Sequence, residues 1–240
     1  MRLAVCLLLV SFVAACGRGE SPLDVRGGAV LHTKRPDRTP IGEALTPDAR
    51  YPTGTRLVLR AGGVRVLSTG LDAAGGPALS YDDPPRVYFT GRASLDEPYA
   101  IYACDLDGSR REVVVLGERD VAEPAVLPDG RIVHMGRLPE PGPRGDAWAL
   151  FVSAGDGTVG ARITFGTGLE VDPDVLPDGR VVYGQWQPEP EGLWRFTVHP
   201  DGTGVQRLDE SEGGGAYEPE DEVVVGARTR PQGHLSCVQA

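Results

Sequence analysis

A chain of 240 residues that is 40% hydrophobic carries enough apolar material for one sizeable core. Its formal net charge of -10 argues against a polyanionic partner, nucleic acid included. Glycine (33) and proline (21) are abundant while aromatics make up only 6%, which suits many short strands joined by tight turns better than helices.

The chain opens with Met1-Arg2, an apolar run from Leu3 to Val13, and then Ala14-Ala15-Cys16. A short basic start, an apolar stretch and small residues before a cut site describe an export signal. The run is too short to cross a bilayer as a helix. Val13-Ala14-Ala15-Cys16 resembles the lipobox of bacterial lipoproteins. In that family the cysteine is acylated and becomes the first residue after cleavage. The resemblance implies a signal peptide over 1–15, a lipidated Cys16 and a place in the bacterial cell envelope, anchored on the periplasmic or outer face of a membrane. An ordinary cleaved signal with a chance cysteine is the alternative. Residues 16–50 are rich in Gly, Pro and Arg with little periodicity and read as a lipidated tether, partly disordered, with an early strand near Gly28–His32.

From residue 51 onward the chain repeats. Glu123-Pro124-Ala125-Val126-Leu127-Pro128-Asp129-Gly130-Arg131-Ile132-Val133-His134 is echoed by Asp172-Pro173-Asp174-Val175-Leu176-Pro177-Asp178-Gly179-Arg180-Val181-Val182-Tyr183. Each copy is an apolar strand, a Pro-Asp-Gly turn and a second apolar strand. Proline presets φ at the turn, aspartate caps it and glycine takes the left-handed position. The first-turn aspartates at 83, 129, 178 and 221 are 46, 49 and 43 residues apart. A second series, Asp107-Gly108, Asp156-Gly157 and Asp201-Gly202, is spaced by 49 and 45. Two turn signals per period in the forties imply four strands per unit, the blade of a β-propeller. Arg56–Arg60 and Gly63–Leu67 read as a degenerate first unit. Tyr217 to Val238 reads as a fifth, with Glu222–Arg228 as its second strand.

These units resemble PD40 (WD40-like) repeats of the TolB type over roughly residues 75–240. Pro124–His134 and Pro173–Tyr183 carry the first half of that pattern, and Ile101–Gly108 the second half. The resemblance implies an all-β propeller of four-stranded blades over 51–240. About four to five units are visible where the TolB type has six, so the ring is incomplete or closed by an N-terminal strand. It implies little about function, because the matching positions are turns and core.

No catalytic constellation or cofactor motif is present. Neither G-x-S-x-G nor H-E-x-x-H occurs, and His134 shares the strand slot of Phe89 and Tyr183. The acidic clusters, Asp172/Asp174 among them, lack calcium-loop spacing and read as solvated loops. Cys104 and Cys237 show no metal spacing, and the repeat places them in different units, against a bridge. Asp107, Gly108, Asp129, Gly130, Asp156, Gly157, Asp178, Gly179, Asp201 and Gly202 are structural turns, all on one face. The opposite face carries loops of unequal length at 91–98, 138–147 and 187–192. Arg92, Tyr99, Arg137, Trp148, Trp186 and Trp194 beside them form the candidate partner-binding face. The expected role is recognition of an envelope protein or a glycan. A hydrolase-type or degenerate enzymatic propeller, or a truncated paralogue, is the alternative.

Overall fold

The computed structural model describes residues 29–35, 45–61, 63–142, 145–166, 168–189, 191–208 and 222–225. Cys16 and Cys237 lie outside them. The strands are β1 (Ala29–Lys34), β2 (Arg56–Arg60), β3 (Val64–Val66), β4 (Ala73–Leu79), β5 (Arg86–Arg92), β6 (Ala100–Asp105), β7 (Glu112–Val115) and β8 (Val121–Val126). They continue as β9 (Ile132–Arg137), β10 (Trp148–Ser153), β11 (Ala161–Arg162), β12 (Glu170–Val175), β13 (Val181–Pro188), β14 (Glu191–Val198), β15 (Gln206–Arg207) and β16 (Glu222–Val225). A single turn of helix, α1 (Pro47–Arg50), stands between β1 and β2.

These strands make four antiparallel sheets of four: β16-β1-β2-β3, β4-β5-β6-β7, β8-β9-β10-β11 and β12-β13-β14-β15. This is the all-β propeller of four-stranded blades that the repeats imply. Four sheets lie within the expected four to five units, and the first contains the N-terminal strand expected to complete the last one. Glu222–Val225 is not the second strand of a fifth unit but the edge strand of the first sheet, paired with β1 from Ala29↔Val225 to His32↔Glu222. The degenerate first unit and the fifth unit are therefore parts of one blade, joined by the N-terminal strand. Residues 29–34, assigned to the tether apart from the early strand, belong to the blade because Leu31 pairs in register with Leu59 and is buried between sheets.

The facing sides of adjacent sheets are apolar, so the second and third blades are apolar on both faces, which explains their near-continuous apolar strands. Leu31, Leu57 and Leu59 of the first sheet pack on Val87, Phe89 and Cys104 of the second. Ile101 and Ala103 of the second pack on Val121 and Ile132 of the third. Val133, Met135 and Leu150 of the third pack on Val171, Val181 and Tyr183 of the fourth. Among the described residues no such cluster joins the fourth sheet to the first.

The Asp-Gly turns share a glycine conformation and an aspartate cap, although the Gly157 N–H donates to the Val114 carbonyl of the second blade where the other four glycines donate within their own turn. Gly108, Gly130, Gly157, Gly179 and Gly202 have φ between 81° and 93°, the left-handed region that glycine enters without a Cβ penalty. In each turn the aspartate Oδ1 accepts from the backbone N–H two residues on: Ser109, Arg131, Thr158, Arg180 and Thr203. This is the local cap expected of aspartate.

A second repeated device bends the first strand of three blades. Gly76, Glu123 and Asp172 each precede a proline and have φ of 59°, 51° and 51°. The ladder skips two residues there, between Gly75 and Ala78, Ala122 and Ala125, and Val171 and Asp174. Pro77, Pro124 and Pro173 have no N–H to offer, so each sits at a bulge. The bulged N–H groups of Gly76 and Glu123 donate to Thr33 and Thr90 of the preceding blade at 3.2 and 2.8 Å.

Candidate functional site

Two features lie at the end of the sheets opposite the Asp-Gly turns. The first is an axial clasp. The bulges bring Glu123 and Asp172 together around α1, which the loop between β1 and β2 delivers. Pro47 opens that turn of helix, and its C-terminal Arg50 is 3% exposed. The Arg50 guanidinium donates both arms to Asp172, Nη2 to Oδ2 at 2.7 Å, and lies 3.0 Å from Glu123 Oε1. The Tyr51 hydroxyl donates to Glu123, and the Tyr99 hydroxyl donates to the Tyr51 carbonyl at 2.7 Å. Gly75 and Gly76 give Tyr51 its room, since a Cβ at either would fall about 2.4–2.5 Å from that side chain.

The charges in this clasp are unequal. Burial alone would lower the Arg50 pKa, but Asp172 and then Glu123 outweigh it and raise it well above its ordinary value. Burial raises the Glu123 carboxyl despite Arg50, and Asp172 adds to the rise. One cation thus serves two buried carboxylates, and Glu123 is the one pushed toward its neutral form.

The second feature is an open cleft of about 300 Å³ between the second and third sheets. Asp48, Arg92, Leu95, Asp96, Glu97, Pro98, Glu118, Arg119, Asp120 and Arg137 line it. Arg92 is only 8% exposed, binds Asp72 through Nε at 3.1 Å and Nη2 at 2.9 Å, reaches Asp48 at 2.9 Å and lies over the Tyr99 ring at 4.6 Å. Arg137 binds Asp120 at 3.2 Å and Asp146 at 2.7 Å. These two arginines occupy one repeat slot at the end of a second strand, Arg92 in register with Ala73 at the start of β4 and Arg137 bonded through its N–H to the carbonyl of Asp120 just before β8. In the fourth sheet the slot pairs Trp186 with Leu169 by a backbone bond of 3.0 Å. The second strands of the second and third blades thus end in ion pairs and that of the fourth in an apolar pair. Leu95 is 66% exposed at the rim, beside exposed Asp96, Glu97 and Glu118.

The six residues of the expected binding face separate. Arg92 and Arg137 do line the cleft, with their charges already engaged. Tyr99 and Trp148 do not belong to an accessible face: they are 0% and 2% exposed. Tyr99 anchors the axis through its hydroxyl, and Trp148 opens β10 inside the core between the third and fourth sheets. Trp186 and Trp194 are half-buried on the fourth sheet, with the Arg207 guanidinium 3.9 Å from the Trp194 ring centre. Arg50 and Glu123 carry no site reading in the sequence, and Asp172, read with Asp174 as part of a solvated acidic loop, is instead a residue of β12 whose side chain is 8% exposed and paired with Arg50. The acidic residue before proline in both copies was the available signal, but its cation lay in a segment read as tether.

His134 is fully buried, stacked on Phe151, with Nδ1 3.0 Å from the Met135 carbonyl and Nε2 2.8 Å from Ser153 Oγ. The Met135 carbonyl can only accept, so His134 carries its proton on Nδ1 and Nε2 accepts from the Ser153 hydroxyl, whose oxygen also accepts from the Gly160 N–H at 2.8 Å. Burial lowers the His134 pKa to about 4. Cys104 is a buried free thiol raised to about 11 by burial.

No protein-family model and no curated protein matches the chain by sequence. Solved structures do match by shape. A hydrazine synthase chain of Kuenenia stuttgartiensis superposes with a TM-score of 0.64 at 17% identity, over 76% of this chain and 32% of that one. A TolB structure of Agrobacterium tumefaciens gives 0.51 at 16%, over 77% and 70%. TolB of Acinetobacter baumannii gives 0.49 at 19%, over 75% and 52%. The chain spans about a third of the hydrazine synthase chain. The likeness is one of fold, a propeller of the kind found in TolB.

Proposed function

We propose that this chain is an exported, lipid-anchored propeller of the bacterial cell envelope that works by recognition, with the cleft between its second and third sheets as the seat for a protein or glycan partner. The observation that carries the reading is where the cleft lies. The Asp-Gly turns repeat one glycine conformation and one aspartate cap, whereas the cleft is walled by the connections at 93–99 and 116–120, which differ from their counterparts in the other blades. Variation on a rigid frame is where binding is ordinarily placed. Arg92 and Arg137 are engaged by carboxylates, and the exposed Asp96, Glu97 and Glu118 outnumber the exposed Arg119, so they set the sign of the rim. Such a rim favours cationic or hydroxyl-rich groups around an apolar contact at Leu95.

The enzymatic alternative is less well supported. The His134–Ser153 pair is sealed from solvent, and the residues bonded to it include no carboxylate. The anchor rests on Val13-Ala14-Ala15-Cys16.

The test is capture from envelope extracts with the parent chain and with a Glu97→Arg/Glu118→Arg variant, alongside membrane fractionation of Cys16→Ser. The reading expects one retained partner, lost on reversal of the rim, and release of Cys16→Ser from membranes. A partner kept by the reversed rim removes the cleft, and an unchanged membrane fraction removes the anchor. Hydrolysis abolished by a single His or Ser change would replace recognition with chemistry.

A further inference from the structure

The first blade has the opposite charge sign to the chain as a whole. Residues 29–35 and 51–71 contain no Asp or Glu and hold Lys34, Arg35, Arg56, Arg60 and Arg65, and the remaining strand, β16, adds one acid, Glu222, opposite His32. The register sets Lys34 opposite Arg56, Arg60 opposite Val64 and Val58 opposite Val66. Strand alternation then puts Lys34, Arg56, Arg60, Val64 and Val66 on one face. The other face, with Leu31, Leu57 and Leu59, packs on the second sheet. Arg65 points to that other side and interacts with Asp107, so it is no part of the patch. Like charges directly across a strand pair disfavour each other. Here they border two exposed valines, Val64 at 67% and Val66 at 42%, on the edge strand of the sheet. Lys34, Arg35, Arg56, Val64 and Val66 enclose a groove of about 230 Å³. An apolar ridge with a basic border, on a chain of net charge -10, is complementary to a surface that is anionic outside and apolar just beneath.

The chain path supplies a second argument. Because β1 starts at Ala29, only residues 17–28 separate Cys16 from this blade, instead of the longer tether expected from sequence. Their contour cannot exceed roughly 45 Å. The basic edge thus belongs to the blade nearest the anchor.

We propose that the β3 edge of the first blade docks on the anionic lipid surface beside the anchor, with Val64 and Val66 entering the headgroup layer and Lys34, Arg56 and Arg60 meeting lipid phosphates. This rests on the lipid-anchored reading. Docking fixes the orientation of the propeller and uses none of the residues that line the cleft.

The test uses the full-length lipidated chain carrying Val66→Cys in a Cys237→Ser background, labelled with an environment-sensitive dye. It is reconstituted in vesicles of phosphatidylcholine alone or mixed with phosphatidylglycerol. Quenching by neutral acrylamide should be several-fold weaker in the mixed vesicles. The protection should vanish in about 1 M salt, where the screening length falls to about 3 Å. It should also vanish in Lys34→Glu/Arg56→Glu, since each basic residue near such a surface changes partitioning about fivefold. A dye at Leu116→Cys, 52% exposed on the second sheet's side, should not distinguish the vesicles. Equal quenching at Val66→Cys in both vesicle types overturns docking and leaves the anchor standing. A chain that floats with neither vesicle overturns the anchor and docking with it. Protection equal in both vesicles and growing with protein density assigns the edge to a second copy and overturns the lipid contact.

Discussion

Arg50 and Asp172 lie 122 positions apart, yet their guanidinium and carboxylate meet as a two-pronged pair, and Glu123 and Tyr51 complete the clasp. The pair ties the loop of the first blade to the inner bulges of the third and fourth. Breaking a buried pair by removing one partner leaves an uncompensated charge and costs roughly 3–5 kcal/mol. Arg50→Met should therefore lower stability by that order in urea unfolding. Arg50→Met combined with Asp172→Leu should recover a large part of the loss, because the stranded carboxylate goes with it. If the double variant is as unstable as the single one, the loss comes from packing of α1 and not from charge.

The slot shared by Arg92, Arg137 and Trp186 allows an exchange. Arg137→Leu leaves Asp120 without one of its partners, while Asp120 still accepts from the Tyr99 N–H at 2.9 Å. The pair is partly exposed, so the expected cost is only about 1 kcal/mol. Arg137→Trp with Asp120→Leu copies the apolar arrangement of the fourth blade and should cost less than the sum of the single changes. A double-mutant cycle on urea midpoints measures the coupling.

Gly179 has φ of 86°, and a Cβ built there would meet nothing within 4 Å. A penalty at this position is therefore one of backbone conformation alone. Gly179→Val should destabilise by about 1 kcal/mol or more, whereas Gly179→Asn should cost distinctly less, because Asn tolerates the left-handed region. Equal melting temperatures for the two variants would contradict the turn.

His134 predicts an acid-sensitive stability. Its folded pKa, near 4, lies below the ordinary 6.5, so the unfolded chain binds its proton first. Stability from this group is present above about pH 6.5 and is lost as pH falls toward 4. The full loss is on the order of 3 kcal/mol at 1.36 kcal/mol per unit. Glu123 acts in the opposite sense, since its raised pKa favours the folded state as pH falls through its own window. The two separate in a comparison with His134→Phe, the aromatic that fills the same slot as Phe89. Urea midpoints at pH 7, 5.5 and 4 should show a flatter acid limb in the variant. An identical slope would mean that His134 is not the titrating group.

The blades were legible because their signals are local. A Pro-Asp-Gly triplet determines its own turn within four residues, and strand pairs such as β8-β9 follow from the turn. The candidate site was legible in part. Arg92 and Arg137 reach the cleft because both lie at the end of a second strand, a position the repeat identifies. Tyr99 and Trp148 were misread as displayed aromatics because nothing local separates an aromatic that opens a third strand outward from one that opens it into the core. Arg50 was invisible for a different reason. It is an ordinary arginine in a proline-rich stretch, and only the carboxylates of two distant bulges give it a role.

By itself the sequence determined the four-stranded repeat, the Asp-Gly turns and the apolar character of the inner blades' strands, all of which depend on residues within a few positions of one another. Tertiary structure decided that the first and last units share one sheet, from Ala29↔Val225, and that α1 closes on Glu123 and Asp172. It also decided that the blade nearest the N-terminus presents a basic, valine-tipped edge. These relations join residues many tens of positions apart, and no local period carries them. They exist only once the chain has curved far enough to bring its two ends into one ladder.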